Sequence, residues 1–289
     1  MTRWKAELAL VLITLIWGAT FVVVKRALDD VSALLFIALR FSAATLLLAL
    51  VYRRRLALSA RSWGGVLAGL CLFLGYAFQT AGLRLTGAAK AAFITGMFIV
   101  LVPLLNAAVY RWWPQVSEVI GVVAATAGLA LMTLESASLT ISTGDLLVLV
   151  CAAAFAAHTV VVGHYSSRVG FERLAVLQIG TSAALALGTF WWLEPPYFRL
   201  TPAVWGALAV TSVLATALAL TLQAWAQQFT SSTRTALIFS LEPVFAWITS
   251  FLVAGETLSA RAAAGAALIL AGILAVELKP VGAAQHPFR

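Results

Sequence analysis

Charged residues are scarce in this sequence. Of its 289 residues only 10% are Asp, Glu, Lys or Arg, whereas 62% are hydrophobic. A typical soluble domain is about 25% charged and about 45–50% apolar, and a soluble protein of this size could not keep so much apolar surface from water. The composition therefore excludes a soluble enzyme, a disordered chain and a collagen-like fibre, and it indicates a protein embedded in lipid.

Motifs for metal, redox and nucleotide chemistry are also missing. The two cysteines, Cys71 and Cys151, lie inside apolar runs without a CxxC partner, and we interpret them as small buried hydrophobic side chains. The sequence has no HExxH motif, no cluster of carboxylates and no Walker-type phosphate loop. We therefore expect no metal, no cofactor, no ATP hydrolysis and no enzymatic activity.

The positive net charge does not indicate nucleic acid. Lys and Arg total 19 against 11 Asp and Glu, which gives a formal charge of +8 at pH 7. These cations occur in short clusters between apolar runs rather than along one polar face. The bilayer is therefore the partner that the pattern predicts, and a nucleic acid is not.

Ten apolar runs approach the length of about 20 residues that a helix needs to cross a bilayer. They do not alternate as barrel strands do, and the loops between them leave no room for a second soluble domain. We predict an all-α integral membrane protein with ten transmembrane helices. The runs are 7–25, 34–52, 64–83, 91–110, 117–134, 145–163, 174–193, 203–225, 235–254 and 262–278.

The distribution of Lys and Arg predicts the orientation of these spans. With the N-terminus in the cytoplasm, twelve cations fall in cytoplasmic segments and six in external segments, and the block Arg53–Arg55 is the strongest signal. An even number of spans returns the C-terminus to the cytoplasm. Seven tryptophans are expected to lie at the two membrane interfaces: Trp4, Trp63, Trp112, Trp113, Trp191, Trp192 and Trp205.

A weak internal repeat divides the chain into two halves of five spans. With a shift of 144 residues, the matching positions include Thr86 and Thr230, Lys90 and Arg234, Gly121 and Gly265, and Gly128 and Gly272. An odd number of spans per half makes the second half enter the membrane from the opposite side. Such inverted-topology repeats are common in secondary transporters, which bind substrate where the repeats meet.

Several stretches resemble the EamA domain. Residues Leu15–Val22 and Ser32–Phe41 are similar to its start, and residues Ser240–Ala246, Gly255–Leu258 and Gly265–Gly272 are similar to the end of a second copy. Over essentially its whole length the chain thus resembles the ten-helix exporters of the drug/metabolite transporter superfamily. Within that superfamily it looks closest to the YddG-type amino-acid exporters.

The resemblance implies a carrier with two inverted five-helix repeats around a central cavity, at 1–139 and 140–279, and a cytoplasmic tail at 280–289. It implies residence in a bacterial-type inner (plasma) membrane with both termini cytoplasmic, and export of aromatic and other amino acids by alternating access. The first half departs from the pattern, because its Pro103 follows Val102 and has no counterpart of Glu242. We expect the chain to act as a monomer.

Other functions remain alternatives at this point. Within the same superfamily the substrate is alternatively a nucleotide sugar, a phosphorylated metabolite or a cationic drug. An anionic phosphate would need cations converging on the cavity, and Arg40 alone lies inside a span. A membrane enzyme would need a catalytic constellation, which is not found, and a receptor with so little extramembrane mass would be unusual.

The candidate substrate-binding residues combine aromatic and polar side chains within the spans. Tyr76 and Gln79 share one helical face, and Phe93 and Met97 lie one turn apart. Aromatic faces suit an apolar side chain and polar groups suit the head of an amino acid, although packing between helices explains each single aromatic residue as well. The set is Trp17, Tyr76, Gln79, Phe93, Met97, His158 and Phe239.

Four further residues are predicted to be structural or gating. Arg40 and Glu242 are charged residues inside spans, where such groups usually face the interior, and they either pair, act separately or bind a charged part of the substrate. Pro103 and Pro243 remove helical hydrogen bonds and predict bends that serve either alternating access or static packing. For His158 the alternatives are a satisfied buried ring, a cavity wall and a proton-coupling group.

Overall fold

The computed structural model describes residues 3–55, 62–83, 85–86, 88–111, 113–134, 141–254 and 259–277. Four features named above lie outside these residues: the predicted boundary at 139/140, the predicted tail at 280–289, the stretch 255–258 and Trp112.

Nearly all of the described chain is helical. A one-turn 3₁₀ helix, Arg53–Arg55, continues the second helix, and a π-helical segment, Thr211–Leu218, joins the ninth helix to the tenth. The α-helices within the described ranges are α1 (Arg3–Ala27), α2 (Ala33–Tyr52), α3 (Trp63–Leu83), α4 (Ala88–Gly96), α5 (Phe98–Tyr110), α6 (Val116–Thr133), α7 (Thr143–Val169), α8 (Phe171–Leu193), α9 (Pro202–Val210), α10 (Ala219–Ala226), α11 (Ser232–Phe239), α12 (Glu242–Ala254) and α13 (Ala260–Glu277).

Each predicted run falls on one helix or on two consecutive helices. Among the described residues, seven helical stretches are long and apolar enough to cross a membrane. The apolar part of α13 is shorter, and the run at 235–254 is divided between α11 and α12. The seven stretches are Ala33–Arg55, Trp63–Gly82, Ala91–Tyr110, Val116–Thr133, Thr143–Val169, Phe171–Leu193 and Pro202–Ala226.

Two spans are interrupted at equivalent positions of the repeat. The first break is at Met97, between α4 and α5, and the second is at Ser240–Leu241, between α11 and α12. A shift of 144 residues places Met97 on Leu241. Pro103 lies inside α5, where its ring removes one helical hydrogen bond, whereas Pro243 lies in the first turn of α12, where proline is well tolerated. The breaks are in register although the prolines are not.

Helix pairs that join the two halves are matched by pairs of the equivalent helices. The last helices of the halves, α6 and α13, pack along each other, and so do the second helices, α2 and α8. The pair α3 and α7 has its counterpart in α10 and α1, and the pair α5 and α7 has its counterpart in α12 and α1. The main helix pairs that join the halves therefore recur when each helix is replaced by its equivalent.

Glycines show that corresponding helices run in opposite directions. Where α6 crosses α13, Gly121 lies against Gly272 and Gly128 lies against Gly265. Residue numbers rise along one helix as they fall along the other, so α6 and α13 are antiparallel. Because these two helices are repeat equivalents, the two halves are inverted relative to each other, as a two-repeat transporter fold requires.

Tryptophan side chains lie on the outside of the bundle near helix ends. Such positions suit anchors at a membrane interface, where the indole ring contacts both lipid and water. The exposed predicted anchors are Trp4, Trp63, Trp113, Trp191, Trp192 and Trp205.

Candidate substrate site

Trp17, in the middle of α1, connects the two halves. Its Nε1 donates a hydrogen bond to the carbonyl oxygen of Ala215 at 2.9 Å. Its ring contacts the ring of Phe239 edge to face, with centroids 5.0 Å apart. Phe239 ends α11, directly before the break in that span. The structure thus brings together two predicted site residues that are separated by most of the sequence.

Arg40 uses the same acceptor. Its Nη2 donates to the carbonyl oxygen of Ala215 at 3.1 Å and its Nε donates to Oγ1 of Thr216 at 2.5 Å. The residue is 6% exposed, and its guanidinium carbon lies 5.6 Å from the ring centroids of Phe41 and Tyr76. Arg40 is therefore a buried cation whose hydrogen-bond partners are neutral.

The acceptors of Trp17 and Arg40 lie in the π-helical segment. Such segments interrupt the regular i→i−4 ladder and often occur at functional sites. Our sequence prediction did not include this segment, and Thr211, Thr216 and Thr221 recur at intervals of five residues along it and just beyond it. All three threonines are buried.

Tyr76 lies between two phenylalanines that our sequence prediction did not include. The centroid of its ring is 5.5 Å from that of Phe41 and 5.4 Å from that of Phe155, and both contacts are edge to face. Gly75 makes room for this arrangement, because a Cβ at that position would lie 2.5 Å from the Phe155 ring. The spacing of aromatic residues along one helix does not identify these ring partners, because Phe41, Tyr76 and Phe155 lie on three different helices.

His158 belongs to a buried hydrogen-bond chain one turn beyond Phe155. Its Nε2 lies 2.8 Å from Oε1 of Gln178, and Nε2 of Gln178 donates to the carbonyl oxygen of Leu220 at 3.4 Å. His158 is 3% exposed and Gln178 is fully buried. The chain links α7, α8 and α10 beside the aromatic cluster.

Glu242 begins α12 at the level of Trp17. A Cβ added to Gly18 would lie 3.0 Å from the carbonyl oxygen of Glu242, so α1 approaches this break closely. The described residues contain no ion pair between Arg40 and Glu242, since both hydrogen bonds of Arg40 go to the π-helical segment. The two charges inside spans are therefore separate features.

The remaining predicted residues lie in the third and fourth spans. Gln79 is half-buried one turn beyond Tyr76, and the described part of the chain offers its amide no hydrogen-bond partner. Phe93 lies in α4 and Met97 at the break before α5, and both are half-buried. The structure joins Trp17, Arg40, Tyr76 and Phe239 beside the π-helical segment. Within the described chain, Gln79, Phe93 and Met97 make no side-chain hydrogen bond or ring contact with this group.

Comparison with known families and proteins agrees with this architecture. The model of the EamA-like transporter family matches the chain twice, over residues 4–134 and 142–278. One relative, a protein of Archaeoglobus fulgidus named an uncharacterized transporter, is 36% identical over 280 residues, which are 96% of this chain and 87% of the relative. A second protein of that organism with the same name is 29% identical over 293 residues, covering 95% and 98% of the two chains.

A solved crystal structure has the same fold. It superposes with a TM-score of 0.82, covering 96% of this chain and 98% of its own, at 18% sequence identity. At that identity the similarity describes the fold and not the substrate.

Proposed function

Because this chain belongs to the EamA-like transporter family and is therefore a membrane transporter of small molecules, we propose that it is a secondary carrier that exports amino acids, aromatic ones included, as the YddG-type exporters do. Alternating access between its two inverted halves exposes a central site first to the cytoplasm and then to the outside. Transporters of this kind are not enzymes.

The observation that carries the proposal is the buried charge of Arg40. A cation at bilayer depth costs about 2.5–3.5 kcal/mol on the insertion scale, so such residues usually have a counter-ion or a function. Among the described residues Arg40 has only neutral acceptors, Thr216 and Ala215. A guanidinium binds carboxylates strongly and often with two parallel hydrogen bonds. The carboxylate of an amino acid is the missing counter-ion that we assign to it.

The surroundings of Arg40 support a substrate with an apolar side chain. The centroid of the Tyr76 ring lies 5.6 Å from the guanidinium carbon, and Trp17, which shares the Ala215 acceptor with Arg40, packs edge to face on Phe239. We propose that these three rings form an aromatic wall of the site. Apolar and aromatic walls with a few convergent polar groups are typical of small-molecule sites. His158 and Gln178 add polar atoms nearby, and we propose that His158, Gln79, Phe93 and Met97 complete the lining.

The proposed orientation places both termini in the cytoplasm of a bacterial-type inner membrane. The excess of Lys and Arg in the segments assigned to the cytoplasm, twelve against six, supports this orientation. Export then means that the substrate binds from the cytoplasmic side, where the N-terminus lies. We propose that a monomer with halves 1–139 and 140–279 is the functional unit.

Flux across liposomes that contain only the purified chain tests the proposal. We expect saturable movement of labelled phenylalanine. Phenethylamine, which has the same ring without the carboxylate, should move no faster than it leaks into protein-free liposomes. Arg40→Gln should raise the half-saturating phenylalanine concentration at least about tenfold, as expected when a hydrogen bond to a charged group is lost. Arg54→Gln, a change at an exposed arginine, is the matched control.

Two results would overturn the amino-acid assignment. Equal flux of phenylalanine and phenethylamine would show that no carboxylate is recognised and would favour cationic drugs. Movement of a nucleotide sugar or a phosphorylated sugar, with no amino-acid flux, would favour the alternative substrate class. Either result would leave the transporter fold in place.

A further inference from the structure

A carboxylate near the start of the first helix of each half contacts a threonine of the other half. Glu7 lies in the second turn of α1; its Oε1 accepts a hydrogen bond from Oγ1 of Thr230 at 3.4 Å and lies 3.6 Å from Nη1 of Arg234. Asp145 lies in the first turn of α7, and its Oδ1 accepts a hydrogen bond from Oγ1 of Thr86 at 2.5 Å. We refer to Glu7, Thr230 and Arg234 as the first latch, and to Asp145 and Thr86 as the second latch.

The threonine sides of the two latches are equivalent under the internal repeat. The shift of 144 residues that aligns the halves places Thr86 on Thr230 and Lys90 on Arg234. The side chain of Lys90 lies outside the described residues. In both latches, therefore, the first helix of one half contacts the connection between the third and fourth spans of the other half.

The packing around the latches is matched as well. Beside the second latch, Leu85 packs on Gly144, where an added Cβ would lie 2.8 Å from the Leu85 side chain. Beside the first latch, Ala6 and Ala226 are fully buried in one cluster against which Phe229 packs. Phe229 occupies the repeat position of Leu85, and Ala6, like Gly144, directly precedes the carboxylate of its latch. Small residues thus allow close approach at both places.

The latches lie at opposite ends of the bundle. Asp145 is at the start of α7, whereas Ala224, shortly before the connection that carries Thr230, clusters with Val162 and Val169 near the end of α7. With 27 residues, α7 is about 40 Å long. One latch is therefore close to each membrane face.

We propose that the two latches are the alternating gates of the carrier. Opening one membrane face separates Glu7 from Thr230 and Arg234 while Asp145 keeps Thr86, and opening the other face does the reverse. Both contacts join a carboxylate to the threonine of an equivalent connection, so opening either face breaks a carboxylate–threonine hydrogen bond. A reversible carrier requires two open states of similar free energy. This inference rests on the alternating-access carrier proposed above.

Spin-label distances in the full-length protein test the gates separately. In a background carrying Cys71→Ala and Cys151→Ala, the exposed pair Trp4→Cys and Ser167→Cys reports the face of the first latch. The exposed pair Asp29→Cys and Thr143→Cys reports the opposite face.

The substitutions Glu7→Gln and Thr86→Val each weaken one latch. We expect Glu7→Gln to increase the long-distance population of the first pair about tenfold and not that of the second, because the negative charge that faces Thr230, Arg234 and Arg3 is removed at one face only. Thr86→Val should have the reverse effect, since it removes the donor and leaves the cap made by Asp145 intact.

Matched controls keep each change within one half. Glu118→Gln alters a carboxylate that caps α6 by accepting from the backbone N–H of Gln115. Thr126→Val removes a hydroxyl that bonds only to the preceding turn of its own helix. Neither control should change either distance. Should Glu7→Gln or Thr86→Val fail to fold, Thr230→Val and Asp145→Asn replace them at the same two latches.

The outcomes separate this inference from the substrate proposal, because the distances need no transported substrate. Reciprocal changes at the two faces support the gates even if no amino acid moves in liposomes. Unchanged distances in both variants, or the same change at both faces, would overturn the gates, whatever the protein transports.

Discussion

Gly128 and Gly265 face each other with their backbones in contact. A Cβ added to Gly128 would lie 2.4 Å from the carbonyl oxygen of Gly265, and a Cβ added to Gly265 would lie 2.5 Å from the carbonyl oxygen of Gly128. Gly121 and Gly272 form a similar pair about two turns away along the same two helices, with distances of 2.8 and 2.7 Å. This reciprocity is what a local twofold axis between the halves produces, as in an isologous interface between two subunits.

We therefore expect substitution at this crossing to destabilise the protein. Gly128→Ala should lower the free energy of unfolding by about 1–3 kcal/mol, because the added methyl group overpacks a backbone contact that cannot relax by rotating a side chain. Thermal unfolding followed by tryptophan fluorescence measures the change. Gly188→Ala is the control, since no atom lies within 4 Å of a Cβ at Gly188. Equal unfolding temperatures for the two variants would contradict the close approach.

Tyr76 is expected to be required for transport and dispensable for membrane insertion. Tyr76→Ala removes the ring that contacts Arg40, Phe41 and Phe155, and we expect phenylalanine flux to fall about tenfold or more at equal expression. Tyr76→Phe keeps the ring and should lose much less. Unchanged flux in Tyr76→Ala would argue that the aromatic cluster packs helices and does not touch substrate.

Thr216 is expected to stabilise the fold through Arg40. Thr216→Val keeps the shape of the side chain but removes the acceptor of Arg40 Nε, so we expect the free energy of unfolding to decrease by about 1–3 kcal/mol. Thr189→Val serves as the comparison, because Thr189 bonds only to the carbonyl oxygen of Leu185 in its own helix. If the two variants lose the same stability, the Arg40–Thr216 hydrogen bond contributes nothing beyond local packing.

His158 is expected to contribute to stability rather than to proton coupling. It is buried, and its Nε2 is engaged by Gln178, so His158→Phe should lower the unfolding temperature and leave the shape of the pH profile of flux unchanged. Liposome flux measured across a series of pH values checks this expectation. A pH profile that becomes flat in the variant would assign His158 to proton coupling instead.

The orientation is open to direct measurement. In a protein without its two native cysteines, Asp29→Cys should react with an impermeant maleimide added to intact cells, because we place it outside. Trp4→Cys should react only after the membrane is permeabilised. The opposite pattern would reverse the direction of export that we propose.

Amino-acid composition and run length were sufficient to establish the class of protein. A chain with 62% hydrophobic residues and ten long apolar runs has few folds open to it in lipid, because every backbone polar group must be satisfied within a helix. The repeat between Gly121–Gly128 and Gly265–Gly272 was also visible in the sequence, because close helix crossings depend on small residues at fixed spacing. Local residue type decides these features.

Contacts between distant segments were required for the site. Arg40 and its acceptor Ala215 are 175 residues apart, and only the packing of α2 against the π-helical segment brings them together. The ring partners of Tyr76 and the two latches are likewise brought together by packing between helices that are distant in the sequence. Helical periodicity tells which face a residue occupies but not which helix it meets, because neighbouring helices in a bundle are chosen by the complementarity of whole surfaces.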